Sequence, residues 1–251
     1  MMKRQITGPR ACAAALLLLA GAQGAQAATT VFSGLDNSNL VGGGAHPNAD
    51  AARADFTAAA GVLLVQTFDE LPVGAAPGTL LAPFGASLVA SATGGVDIVE
   101  GVGAFDTYAS GGRFLDSVTA NGSAFYTVSF DLPVRGFSFD LTDASDWAGD
   151  SRTTTNLVLT LIRNGADESL TLFGDTPASQ IVNGNFGFFG VLSDARDILG
   201  FTITNPATNP DADALGLDNL AVTLEPVPLP GAAWLMLSAV GGLAALRRRR
   251  A

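Results

Sequence analysis

Few residues in this chain have the types and spacing that catalysis requires. The only histidine, His46, lies in a glycine-rich segment, and the only cysteine, Cys12, lies near the N-terminus. No Gly-x-Ser-x-Gly motif supplies a serine nucleophile, so acyl-transfer triads have no candidates. Two carboxylates are enough for a glycoside hydrolase, but with 23 acidic residues in the chain no pair is marked out. We therefore predict no catalytic residue and a structural role for His46.

One loop combines an aromatic ring with carboxylates. Trp147 lies between Asp146 and Asp150 in a stretch without apolar alternation. Such a ring can stack on the face of a sugar while the two carboxylates bond its hydroxyls. The other interpretation is that Trp147 closes one end of the fold as an apolar plug.

A carboxylate near the end of the chain shows a conflict of register. In a regular strand Asp218 shares a face with the apolar Leu220 and Val222, whereas Leu217 has the opposite phase. Either the strand bulges at Asp218 and its neighbour, with Asp218 bonding backbone amides, or Asp218 points to the apolar side. A buried carboxylate needs hydrogen bonds or a cation, or it takes up a proton.

The charge of the middle of the chain limits its partners. Residues 28–225 contain 23 acidic residues, six arginines and no lysine, a net charge of −17, against −10 for the whole chain. This charge disfavours nucleic acid and anionic membrane surfaces as partners. The same region has no cysteine, so its stability must come from core burial or a bound metal rather than from disulfides.

Two-residue periodicity dominates this region and predicts its fold. Apolar residues alternate with polar ones in several short runs, and Asn-Gly or proline turns separate the runs. Asn164-Gly165 between two such runs predicts a hairpin. We expect an all-β body at residues 28–224, an antiparallel β-sandwich of roughly ten strands and most similar to a jelly roll. The alternating runs begin at Tyr126, Phe137, Leu157, Leu170 and Leu199.

One short helix precedes the strands. Alanine-rich residues Ala51–Ala60 predict a helix that Asn48 or Asp50 caps and Gly61 ends. The apolar run at Val62–Phe68 predicts the first clear strand after it.

The N-terminus has the three parts of a secretory signal peptide. Basic residues up to Arg10 precede an apolar stretch at Ala11–Ala22, and Ala25 and Ala27 form a small-x-small cleavage site. We predict a signal peptide at residues 1–27, exported by the Sec translocon and cleaved after Ala27. A retained anchor is the alternative, but the apolar stretch is short for a membrane span.

The C-terminus combines a proline cluster, an apolar run and a basic block. The cluster reads Val227-Pro228-Leu229-Pro230-Gly231, and the block reads Arg247-Arg248-Arg249-Arg250. The 16 uncharged residues 231–246 between them predict a transmembrane helix of about 24 Å, with the arginines at the cytoplasmic face. A plain tail anchor without processing is the alternative.

This tail resembles the PEP-CTERM sorting signals of Gram-negative bacteria, in the variant that reads Val-Pro-Leu-Pro-Ala. The resemblance covers residues 227–250, with Gly231 where the variant usually has alanine. It implies that residues 225–251 are a sorting signal for an exosortase, that the inner membrane holds the chain transiently, and that the protein is delivered to the cell surface or extracellular matrix.

The body also resembles those of many PEP-CTERM proteins. Their alanine-rich helix, their Phe-Asp/Glu…Leu-Pro-x-Gly strand end and their last strand have counterparts here, the latter two at Phe68–Gly74 and Gly216–Leu220. The resemblance implies a lectin-like sandwich and no activity. We expect a non-enzymatic, exported protein associated with exopolysaccharide; the alternative is a secreted glycan hydrolase that uses paired carboxylates.

Calcium is the one cofactor that this reasoning suggests. In related jelly rolls a calcium ion often bridges the first and last strands, which would bring Asp69 or Glu70 near Asp218. We therefore expect a Ca²⁺ site formed by Asp218, by Asp69 or Glu70, and by backbone carbonyls.

Overall fold

The computed structural model describes residues 27–38, 44–76, 79–80, 85–90, 95–103, 107–119, 124–144, 157–176, 180–204 and 213–223. These residues form one helix, α1, and fourteen strands, more than the roughly ten predicted. The helix is Pro47–Ala60, and the strands are β1 Thr29–Asp36, β2 Leu64–Gln66, β3 Gly74–Ala75, β4 Thr79–Leu80, β5 Ala86–Ala90, β6 Val96–Val102, β7 Tyr108–Thr119, β8 Ala124–Val134, β9 Gly136–Thr142, β10 Val158–Arg163, β11 Glu168–Thr171, β12 Phe186–Ser193, β13 Ile198–Thr204 and β14 Asp213–Thr223.

The strands form two antiparallel sheets, which confirms the predicted sandwich. The larger sheet has the order β1-β12-β9-β14-β7-β6-β3, with β2 also paired to β14, and the smaller has the order β11-β10-β13-β8-β5-β4. The predicted hairpin at Asn164-Gly165 joins β10 to β11. Between the sheets the rings of Phe137 and Phe201 stack with centroids 4.4 Å apart at the centre of the core.

The larger sheet is buried on both faces near its middle. The alternation in the sequence had instead predicted a sheet with one face buried and the other exposed to solvent. Every residue of β9 and of β12 is buried. The inner face packs on the smaller sheet, and α1 covers part of the outer face. There Phe56 of α1 contacts a second apolar cluster that includes Phe186, Phe188 and Leu192. This second layer is why runs such as Phe186–Ser193 are almost continuously apolar.

The helix begins earlier than predicted, and its cap comes from elsewhere in the chain. It starts at Pro47 instead of Ala51, and neither Asn48 nor Asp50 caps it with a side chain. Instead the carboxylate of Asp36, the last residue of β1, accepts the backbone N–H groups of Asn48 and Ala49 at 3.2 and 2.9 Å. An acidic acceptor suits the positive end of the helix dipole. The helix therefore starts where β1 delivers this carboxylate.

The helix does not precede all the strands, because β1 comes before it in the chain. One other predicted element was only partly right. The strand expected at Val62–Phe68 is shorter, because only Leu64–Gln66 pair with β14. The helix end was correct: Gly61 follows the last turn with φ of 77°.

The predicted transmembrane helix at 231–246 lies outside the described residues, as do the signal peptide up to residue 26 and the sorting motif. Within the part of the chain that the structure describes, no helix is long and apolar enough to cross a membrane.

Candidate functional site

A pocket of about 420 Å³ lies on the outer face of the larger sheet, beside α1. Three neighbouring strands form its floor, because outward-facing residues of β12, β9 and β14 lie side by side in that order. The helix forms one wall, and the segment around β2 forms the other. The lining residues are His46, Asp50, Arg53, Thr57, Leu63, Val65, Ser138, Asp140, Phe186, Phe188, Asn219 and Ala221.

The helical wall is a stripe of polar side chains on an otherwise alanine-rich helix. His46, Asp50, Arg53 and Thr57 follow one another at spacings of four, three and four residues, which places them on one face. The opposite side of the helix, which carries Ala52 and Phe56, packs on the sheet. The helix therefore uses one side for anchoring and one side for the pocket.

A guanidinium connects the helix to the floor. Arg53 Nη1 donates to Asp50 Oδ1 at 2.6 Å, and Arg53 Nη2 donates to Asp140 Oδ1 at 2.8 Å. The guanidinium carbon also lies 5.5 Å from the centroid of the Phe188 ring, which is a cation–π distance. Asp140 is 1% exposed, whereas Asp50 is 61% exposed. The pocket thus has one buried and one accessible carboxylate on the same arginine.

Both oxygens of Asp140 are engaged. Asp140 Oδ2 accepts a hydrogen bond of 2.8 Å from the side-chain amide of Asn219. Burial raises the pKa of Asp140, while the charge and hydrogen bond of Arg53 and the bond from Asn219 oppose that rise. Asp140 therefore holds Arg53 and Asn219 in place and is a positioning residue.

The sequence left two alternatives for the last strand, a bulge or an inward-pointing Asp218, and the structure shows the bulge. This bulge sets the orientation of Asn219. The register between β14 and β9 shifts between Asp218 and Ala221, and Asn219 has a φ of 50°. Up to Leu217 strand β14 pairs with β7, and from Leu220 it pairs with β2. The bulge therefore lies where β14 changes partner, and it turns Asn219 toward Asp140.

Asp218 does not point into the core between the sheets. Opposite residues of an antiparallel pair share a face, and Asp218 lies opposite Asp140, whose neighbours Phe139 and Leu141 point inward. Its Oδ1 accepts the backbone N–H of Asn219 at 2.7 Å. Burial, with smaller contributions from Asp140 and Asp69, raises the pKa of Asp218 to about 8.

Of the two carboxylates expected to join Asp218 in a calcium site, the structure shows an interaction with Asp218 for Asp69. Asp69 accepts the backbone N–H of Arg113 at 2.7 Å and interacts electrostatically with Asp218. Glu70 instead accepts a hydrogen bond from the side chain of Gln66. Among the described residues no three His, Cys, Asp or Glu side chains come together as a metal site requires. Calcium binding stays a prediction, now limited to Asp69 and Asp218.

The predicted sugar-binding loop, with Trp147, Asp146 and Asp150, lies outside the described residues.

The sequence reasoning did not predict the pocket beside α1. The ring of His46, for which the sequence predicted a structural role, stacks on Phe186 with centroids 4.0 Å apart and also lines the pocket. Its Nδ1 is buried and has no hydrogen-bond partner among the described residues. The polar stripe on α1 was the available signal.

Comparisons with known proteins assign no family to this chain. No family model matches the chain, and no curated protein matches it. A similar solved structure is the family 11 carbohydrate-binding module of the cellulosomal cellulase Lic26A-Cel5E of Clostridium thermocellum. It is 10% identical with a TM-score of 0.31, and the match covers 67% of this chain and 99% of that module. At this level of similarity the match carries no argument about ligands.

Proposed function

We propose that this chain is an exported, non-enzymatic surface or matrix protein that binds saccharide in the pocket beside α1. The observation that carries the proposal is the fixed chain of polar groups formed by Asp50, Arg53, Asp140 and Asn219 in a pocket that also has apolar lining residues. Sites for small molecules combine an apolar lining with a few polar groups held in defined positions. The pocket has both features and a suitable volume.

The chemistry of the lining favours sugars over other small molecules. A sugar ring presents adjacent hydroxyls, which both donate and accept, together with apolar C–H faces. The accessible carboxylate of Asp50 and the N–H groups of Arg53 and Asn219 match the hydroxyls. The side chains of Leu63 and Val65 and the ring of His46 offer apolar surface for the C–H faces. No group in the pocket needs to react for binding to occur.

The location follows from the ends of the chain. The signal peptide and the PEP-CTERM-like tail support export, passage through the inner membrane, recognition by an exosortase, and release to the surface or matrix. An exopolysaccharide of that matrix is then the natural ligand class, and a lectin-like sandwich is the natural description of the body.

A secreted glycan hydrolase is the second candidate. Asp140 and Asp218 lie on adjacent strands, and a carboxyl with a pKa of about 8 is of the kind that acts as a general acid. Against this candidate, Asp218 does not line the pocket, and both oxygens of Asp140 are already hydrogen-bonded. The binding role is therefore the better supported one.

The test is calorimetric titration of the purified full chain in detergent with a panel of soluble oligosaccharides. We expect at least one to bind, and Arg53→Ala to weaken binding by about tenfold, equivalent to about 1.4 kcal/mol. Asp55→Asn, on an exposed part of the same helix away from the lining, should bind like the wild type. A panel without any ligand would overturn the proposal, and turnover that Asp140→Asn abolishes would favour the hydrolase.

A further inference from the structure

We infer that the pocket selects saccharides by charge, accepting uncharged and amine-bearing sugars and excluding those that carry carboxylates or sulfates. This inference rests on the proposed function and goes beyond it by naming the chemical class of the ligand.

The first argument is the charge of the lining. Two carboxylates, Asp50 and Asp140, share the single guanidinium of Arg53. With His46 neutral, the lining carries a formal charge of −1. Next to it, Asp69 adds a further carboxylate, whereas Asp218, whose pKa burial raises to about 8, is mostly protonated at neutral pH and adds no charge. An anionic ligand would therefore enter a site whose positive charge is already paired.

The second argument is that a ligand reaches the negative charge of Asp50 more easily than the positive charge of Arg53. The guanidinium of Arg53 is held by both carboxylates and lies against Phe188, and its side chain is 35% exposed. The carboxylate of Asp50 is 61% exposed, the more accessible of the two charges. A ligand hydroxyl or ammonium can donate to Asp50 without displacing Arg53. A ligand carboxylate would have to compete with Asp50 and Asp140 for the same N–H groups.

The third argument is that two other arginines of the body are occupied away from the pocket. Arg113 binds Glu100 and backbone carbonyls, and Arg163 is buried with Glu168 and Asp197. Apart from Arg53 and His46, no residue of the lining can carry a positive charge. The net charge of −17 over residues 28–225 adds a long-range field that repels acidic chains at low salt.

The experiment compares three soluble probes of similar length on the purified full chain: a cello-oligosaccharide, a glucosamine oligomer and an oligogalacturonate. Titrations at about 20 mM and about 500 mM salt separate electrostatic from contact effects. We expect the oligogalacturonate to bind at least about tenfold more weakly than the better of the other two at low salt. High salt should reduce this difference.

Asp50→Asn supplies the specific variant. Removing the accessible carboxylate should weaken binding of the glucosamine oligomer relative to the cello-oligosaccharide, because the ammonium groups lose their partner, and should strengthen oligogalacturonate binding severalfold. Asp55→Asn makes the same change in charge on the same helix outside the lining and should leave the order of the three probes as in the wild type.

The outcomes distinguish this inference from the proposed function. If the oligogalacturonate binds as tightly as the other probes or more tightly, and Arg53→Ala weakens that binding, saccharide binding stands and charge selection is wrong. If no saccharide binds at either salt concentration, both proposals fail. If Asp50→Asn and Asp55→Asn change the order of the probes equally, the selection comes from net charge and not from the pocket, which also overturns the inference.

Discussion

Asp140 and Asp218 face each other across two antiparallel strands, and each is less than 5% exposed. Only Asp140 has an arginine as its hydrogen-bonding partner. Burial therefore raises the pKa of Asp218 to about 8, well above its ordinary value of 3.8. The folded protein then binds one proton more than the unfolded chain between about pH 4 and pH 8, so its stability falls as the pH rises through that window.

Replacing Asp218 with asparagine should remove this loss of stability at high pH. Asp218→Asn keeps the Oδ1 that accepts the N–H of Asn219 and removes the carboxyl that ionises. At pH 9 the variant should be more stable than the wild type by roughly 5 kcal/mol, since a pKa raised by about four units corresponds to about 1.36 kcal/mol per unit, and at pH 4 the two should be nearly equal. Urea unfolding at several pH values measures the difference, with Asp55→Asn as control. Parallel pH profiles for the wild type and Asp218→Asn would refute the assignment.

Calcium binding can be tested on the same pair of proteins. If Asp69 and Asp218 hold Ca²⁺, a concentration about a hundredfold above Kd should add roughly 2.7 kcal/mol and raise Tm by a few degrees. Because the ion must displace the proton of Asp218, the shift should be larger at pH 8.5 than at pH 6. Melts in EDTA and in millimolar calcium measure it. If the melting temperature in EDTA equals that in calcium at both pH values, the site does not exist.

Arg163 holds the first strand to the rest of the body. Its side chain is 1% exposed and donates to Asp197, Glu168 and Ser193, and also to Thr29 and to the carbonyl of Ala27. Arg163→Met would leave buried acceptors without a donor, which costs about 3 kcal/mol or more. Chemical unfolding would measure this loss.

Arg196→Met is the matched control for this prediction, because Arg196 is exposed and bonds only one backbone carbonyl among the described contacts. It should lose less than about 1 kcal/mol. Similar losses for both variants would show that the buried network is not what stabilises β1.

Gly34 fixes how closely α1 approaches β1. A Cβ atom at this position would lie 2.1 Å from the backbone oxygen of Asn48, an atom that cannot move away without shifting the helix. Gly34→Ala should destabilise the protein by about 2 kcal/mol and weaken saccharide binding, since α1 forms a wall of the pocket. Gly174→Ala, where the nearest atom lies 3.5 Å away, is the control. Unchanged binding in a destabilised Gly34→Ala variant would argue that the helix wall is not needed.

The sorting prediction concerns the mature C-terminus. If an exosortase cleaves at or near Pro228–Gly231, the surface form lacks Arg247–Arg250. Replacing Pro228 and Pro230 with alanine should then leave the protein in the inner membrane. Mass spectrometry of the extracellular protein decides the matter, because a plain tail anchor would retain the intact arginine block.

The sequence was sufficient for the architecture because sheet alternation is a local property. The runs at Tyr126, Phe137 and Leu199 each fall on an observed strand. Local reasoning also gave the bulge as one of two alternatives, since the phase change between Leu217 and Leu220 needs only a few residues. It placed the start of the helix wrongly because the cap, Asp36, comes from another element.

The pocket depends on which strands are neighbours, and that is a long-range property. Asp140, Phe188 and Asn219 belong to strands that are far apart in the chain but adjacent in the sheet. Nothing in the spacing of these three residues indicates that they meet. Only the polar stripe through Asp50 and Arg53 was visible locally, and a stripe of this kind is usually a solvated helix face.

The pairing of β1 with β12 has a consequence for the order in which the body folds. Thr29 lies opposite Ser193, and Asp36 lies opposite Phe186, so the first strand pairs with a strand that lies far along the chain. Pairings of such long sequence separation form slowly, since a large loop must close before any contact repays it. The N-terminal strand therefore cannot pair until most of the body has been synthesised. If the chain is exported as proposed, β1 must therefore stay unpaired with β12 until residues 186–193 have also crossed the membrane.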